Sequence, residues 1–378
     1  MEKFVIYNPT KLYFGNGSIE NLEDLRNLGK KCLIIFGRNS SRENGAYEDV
    51  IKILGKLDKD IIEFWGIKPN PRIEEAERAK ELGIREQVDF VIGVGGGSVI
   101  DTAKLVAQSI PENLNIWDVV SDKIKPNKAL PIIAIITISG TGTEMNCFAV
   151  IQNDELRQKL GYANPLIYPF LSICDPKYTL TVPKNLTSYG IADIVAHLLE
   201  SYFAIKDCTL TEKFIFSILN EVIEFAPYLL NNLKDIKLRE RMMLSSICAL
   251  NGITFYGIKT PDWGVHDIAH NLSALFDVPH GASLSITYIA WLKHFKNKLA
   301  DKITTLGKNV FNVHSPEETI NSLKLFFEQI NCPTSLTQLN FSENQLNELK
   351  NLLLVNKPSG YVFELFEEDL ISIFNFML

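Results

Sequence analysis

Three continuous apolar runs, each ending in a loop of small residues, narrow the folds open to this chain. Cys32-Leu33-Ile34-Ile35-Phe36 stops at Gly37. Phe90-Val91-Ile92-Gly93-Val94 enters Gly95-Gly96-Gly97-Ser98, and Ile132-Ile133-Ala134-Ile135-Ile136 enters Thr137-Ile138-Ser139-Gly140-Thr141-Gly142-Thr143. A strand apolar along its whole length is covered on both faces, as in a parallel sheet flanked by helices. Loops at the carboxyl ends of such strands are where open α/β sheets bind ligands.

After about residue 180 helical periodicity takes over. Ser315-Pro316-Glu317-Glu318 predicts a helix start with a capping box and proline at N1. Ser342-Glu343-Asn344-Gln345 predicts another, and turn-formers between Asp175-Pro176 and Pro183 mark a boundary. The 378 residues therefore divide into a Rossmann-like α/β domain (1–180) with its strand-end loops placed for a ligand, and an all-α domain (181–378). A net charge of -7 argues against a nucleic-acid or anionic-membrane partner. Six scattered cysteines without a Cys-x-x-Cys pair read as thiols of a reduced compartment. The first nine residues carry no secretory signal pattern, and no uninterrupted apolar run is long enough to span a bilayer. The expectation is a cytoplasmic protein.

Gly95-Gly96-Gly97-Ser98, with Asp101, follows a strand and opens a helix. Glycines there let backbone N–H groups approach a pyrophosphate, and the helix N-terminus adds partial positive charge. The loop after the earlier strand, Gly37-Arg38-Asn39-Ser40-Ser41-Arg42, has no carboxylate before Glu43. An acidic residue there would hold a ribose 2′-hydroxyl, whereas a cation accommodates a 2′-phosphate, so the loop favours NADP over NAD.

Asp193 and His197 are spaced i, i+4, and so are His266 and His270, with His280 nearby in a loop context. Residues at that spacing share one helical face. One carboxylate with imidazoles, and no thiolate, suits Fe²⁺ or Zn²⁺. Spacing leaves open whether His266 or His270 is the ligand. His294, among lysines, and His314, before a helix cap, receive no role.

With those residues in view, the chain resembles the iron-containing (group III) alcohol dehydrogenases over essentially its whole length, closest to the NADPH-dependent butanol dehydrogenase or aldehyde reductase branch. The resemblance runs through Tyr7-Asn8-Pro9-Thr10-Lys11-Leu12-Tyr13-Phe14-Gly15, Gly66-Ile67-Lys68-Pro69-Asn70-Pro71-Arg72 and the Gly95–Asp101 loop. It continues through Thr141-Gly142-Thr143-Glu144-Met145-Asn146, Asp193-x-x-x-His197 and Pro261-Asp262-Trp263-Gly264-Val265-His266 to His280-Gly281. It implies Asp193, His197, His266 and His280 as metal ligands and His270 beside the substrate, where it would relay a proton. It implies cofactor contacts at Asn70, Gly95 to Ser98, Asp101, Thr137, Thr141, Asn146 and Lys159. Gly37, Asn39 and Ser40 stand in the ribose loop, although that branch has Gly-Gly-Gly-Ser where this chain has Gly37-Arg38-Asn39-Ser40. The implied substrates are small alcohols and aldehydes, and the implied assembly is a homodimer through N-terminal edge strands. The alternatives are a dehydroquinate synthase-like lyase and a non-catalytic metal or nucleotide binder.

Overall fold

In the computed structural model, which describes residues 1–378, the three apolar runs lie side by side as strands of one parallel sheet. The strands are β1 (Lys11–Phe14), β2 (Lys31–Phe36), β3 (Asp60–Phe64), β4 (Phe90–Gly95), β5 (Ile132–Ile136), β6 (Phe148–Asn153), β7 (Gln158–Ala163) and β8 (Leu171–Cys174). Six form the sheet in the order β1-β8-β5-β4-β2-β3, and β6 and β7 make a separate antiparallel hairpin. Register pairs Cys32 with Phe90 and Val91 with Ile132. The residues of the three runs are buried on both sides, which is why the strands read as continuous rather than alternating.

The first five helices are α1 (Ser40–Glu43), α2 (Ala46–Lys56), α3 (Ile73–Glu86), α4 (Gly97–Ser109) and α5 (Ile116–Val120). Leu33 and Ile35 of β2 share a core with Ala76 and Ala79 of α3 and with Ala103 and Val106 of α4. Cys32, Ile34 and Phe36 point the other way, into a core with Val50 and Leu54 of α2. The helices that follow β2 and β4 thus cover opposite faces of adjacent strands. In open α/β sheets such a reversal is the place where ligands bind, here beyond the carboxyl ends of β2 and β4, where the Gly37–Ser41 and Gly95–Ser98 loops begin.

The later helices are α6 (Lys184–Ala204), α7 (Thr209–Asn231), α8 (Ile236–Leu250), α9 (Gly264–Phe276), α10 (His280–Phe295), α11 (Ala300–Val310), α12 (Pro316–Gln329), α13 (Glu343–Asn356) and α14 (Glu367–Met377). The two expected caps form: Ser315 accepts the Glu318 N–H, and Ser342 accepts the Gln345 N–H. Two compact units divide the chain. One holds Tyr7–Pro183 with Leu233–Asn251, and the other holds Met1–Ile6, Lys184–Asn232 and Gly252–Leu378. The division expected at 180/181 treated the second half as contiguous, but α8 lies in the α/β unit. The Ser246 hydroxyl accepts the backbone N–H groups of Gly140 and Gly142 there, at 2.9 and 3.2 Å.

α7 is long and apolar enough to cross a bilayer by length and composition, although Glu212, Lys213, Glu221 and Glu224 interrupt its apolar sequence. Part of its apolar surface is spent on packing, since Ile215, Leu219, Val222, Phe225 and Leu229 are buried.

Candidate active site

α6 is buried along most of its length, and it carries Asp193, His197 and Glu200 at i, i+4 and i+7 on one face. Burial of polar residues on such a helix demands partners. Those partners come from α9 and from the start of α10. His266 lies in the first turn of α9, and His280 is the first residue of α10.

Asp193 stands close to the other three expected ligands. Asp193 Oδ1 stands 3.5 Å from His197 Nε2, 3.8 Å from His266 Nε2 and 3.7 Å from His280 Nε2. Ligand atoms of Asp193, His266 and His280 lie mutually within 4.8 Å. The His197 and His266 rings stack with centroids 4.9 Å apart. These separations are too long for direct hydrogen bonds. They match atoms that share an ion, because tetrahedral ligands at about 2.1 Å from a metal stand about 3.4 Å from one another. His266 Nε2 is buried and makes no hydrogen bond. One carboxylate gathered with the His266 and His280 imidazoles, and His197 against the same carboxylate oxygen, is a donor set that suits a divalent iron or zinc ion.

The electrostatics differ from ring to ring. Burial pushes the His197 imidazole down to about 4, only partly opposed by Asp193, so it is neutral and has a lone pair to give. For His266 burial also pushes downward, but the Asp193 and Glu200 carboxylates outweigh it and hold the ring up at about 9. Asp262 is pushed up to about 6 by burial and by the nearby Glu200 charge. Of the His197 and His266 rings, the first is thus held neutral and the second is held charged by the carboxylates of Asp193 and Glu200.

Two neighbours escaped the sequence reading. Glu200, 1% exposed, accepts both the backbone N–H and the Nδ1 side of His266, each at 3.1 Å. Trp263, at the N-cap of α9, adopts a left-handed backbone (φ 63) and sets its indole edge-on to His266 at 5.1 Å. The i, i+7 spacing of Asp193 and Glu200 was a usable signal; Trp263 stood in the Pro261–His266 motif of the resemblance but received no role. His270 is buried one turn beyond His266, with its ring 5.5 Å from that of His280.

The second group of expected residues gathers within the α/β unit. Gly95 ends β4, Gly96 is the N-cap of α4, and Gly97 is its first residue. A Cβ on Gly97 would stand 2.5 Å from Thr141 Cγ2, so the absence of a side chain lets the two loops close together. Ser98 is half-buried beside them. Thr137 is 1% exposed, and its hydroxyl has no hydrogen-bond partner. Asn70 and Lys159 meet through a 2.8 Å hydrogen bond. Gly37 is buried, whereas Arg38, Asn39, Ser40 and Arg42 are exposed.

Asp101 and Asn146 are spent inside the protein. Asp101 accepts from the Thr143 hydroxyl (2.6 Å) and the Val150 N–H (3.0 Å). Asn146 donates to the Gly142 carbonyl and accepts from Phe148 N–H. Lys104, fully buried and also missed in the sequence, binds Thr143, Asn146 and the Phe148 carbonyl. Burial pushes this lysine down to about 8 against the pull of Asp101. The network shapes the loop after β5.

Residues 9–176 match the family model described as iron-containing alcohol dehydrogenase, and residues 187–374 match the C-terminal model of the same family. This chain is an iron-containing alcohol dehydrogenase family member. Among similar proteins, the probable NADH-dependent butanol dehydrogenase 1 of Bacillus subtilis is 35% identical over 99% of both chains. The NADPH-dependent aldehyde reductase YqhD of Escherichia coli is 30% identical over 89% of both. The crystal structure of NADH-dependent butanol dehydrogenase A from Thermotoga maritima superposes with a TM-score of 0.95 at 34% identity, covering 100% of this chain and 99% of the other. As an iron-containing alcohol dehydrogenase, the chain is an NAD(P)H-linked oxidoreductase of alcohols and aldehydes. Membership sets aside the lyase alternative.

Proposed function

We propose that this enzyme reduces short aliphatic aldehydes to primary alcohols with NADPH, using a divalent ion held by Asp193, His197, His266 and His280. The observation that carries the reading is the convergence of three imidazole Nε2 atoms on Asp193 Oδ1 at 3.5–3.8 Å. When bound, the ion would supply Lewis-acid polarisation of a carbonyl and the dinucleotide would supply hydride. Asp193 and the three imidazoles would give the ion its position, His266 releasing its proton to bind. His270 sits on the same helical face as His266 and would hand a proton to the nascent alkoxide oxygen. The backbone N–H groups at the start of α4 would hold the pyrophosphate, with Thr137, Thr141, Asn70 and Lys159 around the remainder of the cofactor. Asp101 and Asn146 would act by bracing that loop.

The NADP preference is supported by the carboxylate-free loop after β2 and by Arg42. Its guanidinium lies over the Trp65 ring at 4.3 Å and near the Tyr47 ring at 5.1 Å. A stacked guanidinium keeps its N–H edge for a phosphate. The relatives' names divide between NADH and NADPH. A cytoplasmic homodimer is the assembly proposed, because β1 is an edge strand with an open side and Val5, Ile6 and Tyr7 nearby in sequence are exposed.

The test is oxidation of NADPH and NADH by anaerobically purified, Fe²⁺- or Zn²⁺-loaded enzyme across C2–C6 aldehydes, with light scattering for the oligomer. NADPH oxidation that needs both metal and aldehyde is expected. Absence of metal-dependent turnover would overturn the reading, and equal kcat/KM for the two cofactors would overturn the preference.

A further inference from the structure

We infer that Glu200 is a positioning residue for the metal centre, fixing the tautomer and orientation of His266 and strengthening the hold of the site on a divalent ion. The inference rests on the metal reading above and extends it to a residue outside the ligand set.

The geometry is specific. Glu200 is 1% exposed, and one of its oxygens, Oε1, receives both the His266 backbone N–H and its Nδ1, each at 3.1 Å. An imidazole that donates from Nδ1 carries its lone pair on Nε2. Nε2 is the atom aimed at Asp193 Oδ1, 3.8 Å away, and it makes no hydrogen bond. The two bonds to one residue fix where the ring sits and which way it faces. A carboxylate behind a ligating imidazole also raises the donor strength of the ring.

A capping role alone would be the simpler account. His266 lies in the first turn of α9, where backbone N–H groups lack partners, and the N-cap residue Trp263 makes no side-chain cap. Glu200 fills that gap from another helix. Capping, however, needs only an oxygen acceptor and gives no reason for the contact to Nδ1. Nor does it need a full negative charge buried near Asp193 and Asp262. The Asp262 N–H donates to the Glu200 carbonyl at 3.2 Å, so this stretch of α6 is also held through its main chain.

Glu200→Gln separates the two accounts. The glutamine oxygen can still accept both bonds but carries no charge, while Glu200→Ala removes the acceptor as well. Metal-free wild-type and variant full-length proteins are titrated with Co²⁺, following visible absorption and competition with a chromophoric chelator. Circular dichroism of the metal-free proteins reports folding. Glu200→Gln is expected to keep the wild-type spectrum in the metal-free state, to bind Co²⁺ roughly 10- to 100-fold more weakly and to shift the Co²⁺ bands. A Glu200→Gln protein that titrates like wild type, with unchanged bands, would overturn the positioning role and leave the metal site standing. Failure of wild type itself to bind Co²⁺ would overturn both.

Discussion

Lys159 Nζ donates to Asn70 Oδ1 at 2.8 Å, joining two buried side chains 89 residues apart in the chain. Asn70 has φ 53, a left-handed conformation that asparagine tolerates better than most residues. The pair sets a charged ammonium in the α/β unit that carries the glycine loop. Lys159→Met should leave the fold intact and raise KM for the dinucleotide roughly 10-fold or more, the scale of one charge-assisted hydrogen bond, with a smaller change in kcat. Steady-state kinetics with the cofactor varied at saturating aldehyde checks this. An unchanged KM would place Lys159 outside the cofactor site.

Gly97 and Thr141 make a second testable contact. The Cβ of Gly97→Ala would meet Thr141 Cγ2 at 2.5 Å and Oγ1 at 2.9 Å. Overpacking of this kind costs about 1–3 kcal/mol. Gly97→Ala should therefore melt lower and bind ADP-ribose more weakly. Thr141→Ser removes Cγ2, so the double variant should recover part of the lost stability. A double variant no more stable than the sum of its single changes would show that the two loops are not coupled there.

Glu144 gives a pH dependence with a definite sign. It is 1% exposed, neither carboxyl oxygen has a hydrogen-bond partner, and burial pushes its pKa from 4.5 up to about 7. The folded protein then binds this proton more tightly than the unfolded chain. The stabilisation it contributes is complete below about pH 4.5 and is lost as pH rises through about 7. Glu144→Gln keeps the shape with nothing to ionise. At pH 8.5 it should exceed wild type by up to about 3 kcal/mol in urea unfolding, and the gap should close near pH 5. A gap that does not change with pH would mean that Glu144 does not carry a raised pKa.

These residues also show where reading the sequence stops. The three apolar runs, the Gly95–Ser98 turn and the caps at Ser315 and Ser342 were legible because each is a local pattern with a local cause. The Asp193, His197, His266 and His280 set was half legible: spacing placed pairs on helical faces, and the resemblance chose His266 over His270. Glu200 was legible only as a residue on the Asp193 face of its helix, and Lys104 was not legible. Each reads as an ordinary charged residue in a helix, and their partners lie 66 and 39 or more residues away. α8 shows the same limit for a whole helix. Its periodicity reports an apolar face but not which core will take that face. α7 shows that hydropathy cannot separate a helix packed in a protein from one packed in lipid.

His270 and His280 should separate by what they control. The rings are only 5.5 Å apart, yet it is His280 whose Nε2 stands 3.7 Å from Asp193 Oδ1 and which belongs to the group with Asp193 and His266. Removing one of four ligands leaves the ion with three donors, so His280→Ala should lose most of its bound metal and its activity with it. His270→Ala should keep near-stoichiometric metal. Loss of a positioned proton donor costs typically 10²–10⁴-fold in rate, so its kcat should fall on the order of 100-fold and its pH profile should flatten. Elemental analysis of both proteins, alongside kcat measured from pH 5.5 to 9, distinguishes the roles. Full metal in His280→Ala would break the ligand assignment, and a wild-type rate and profile in His270→Ala would remove the proton-transfer role.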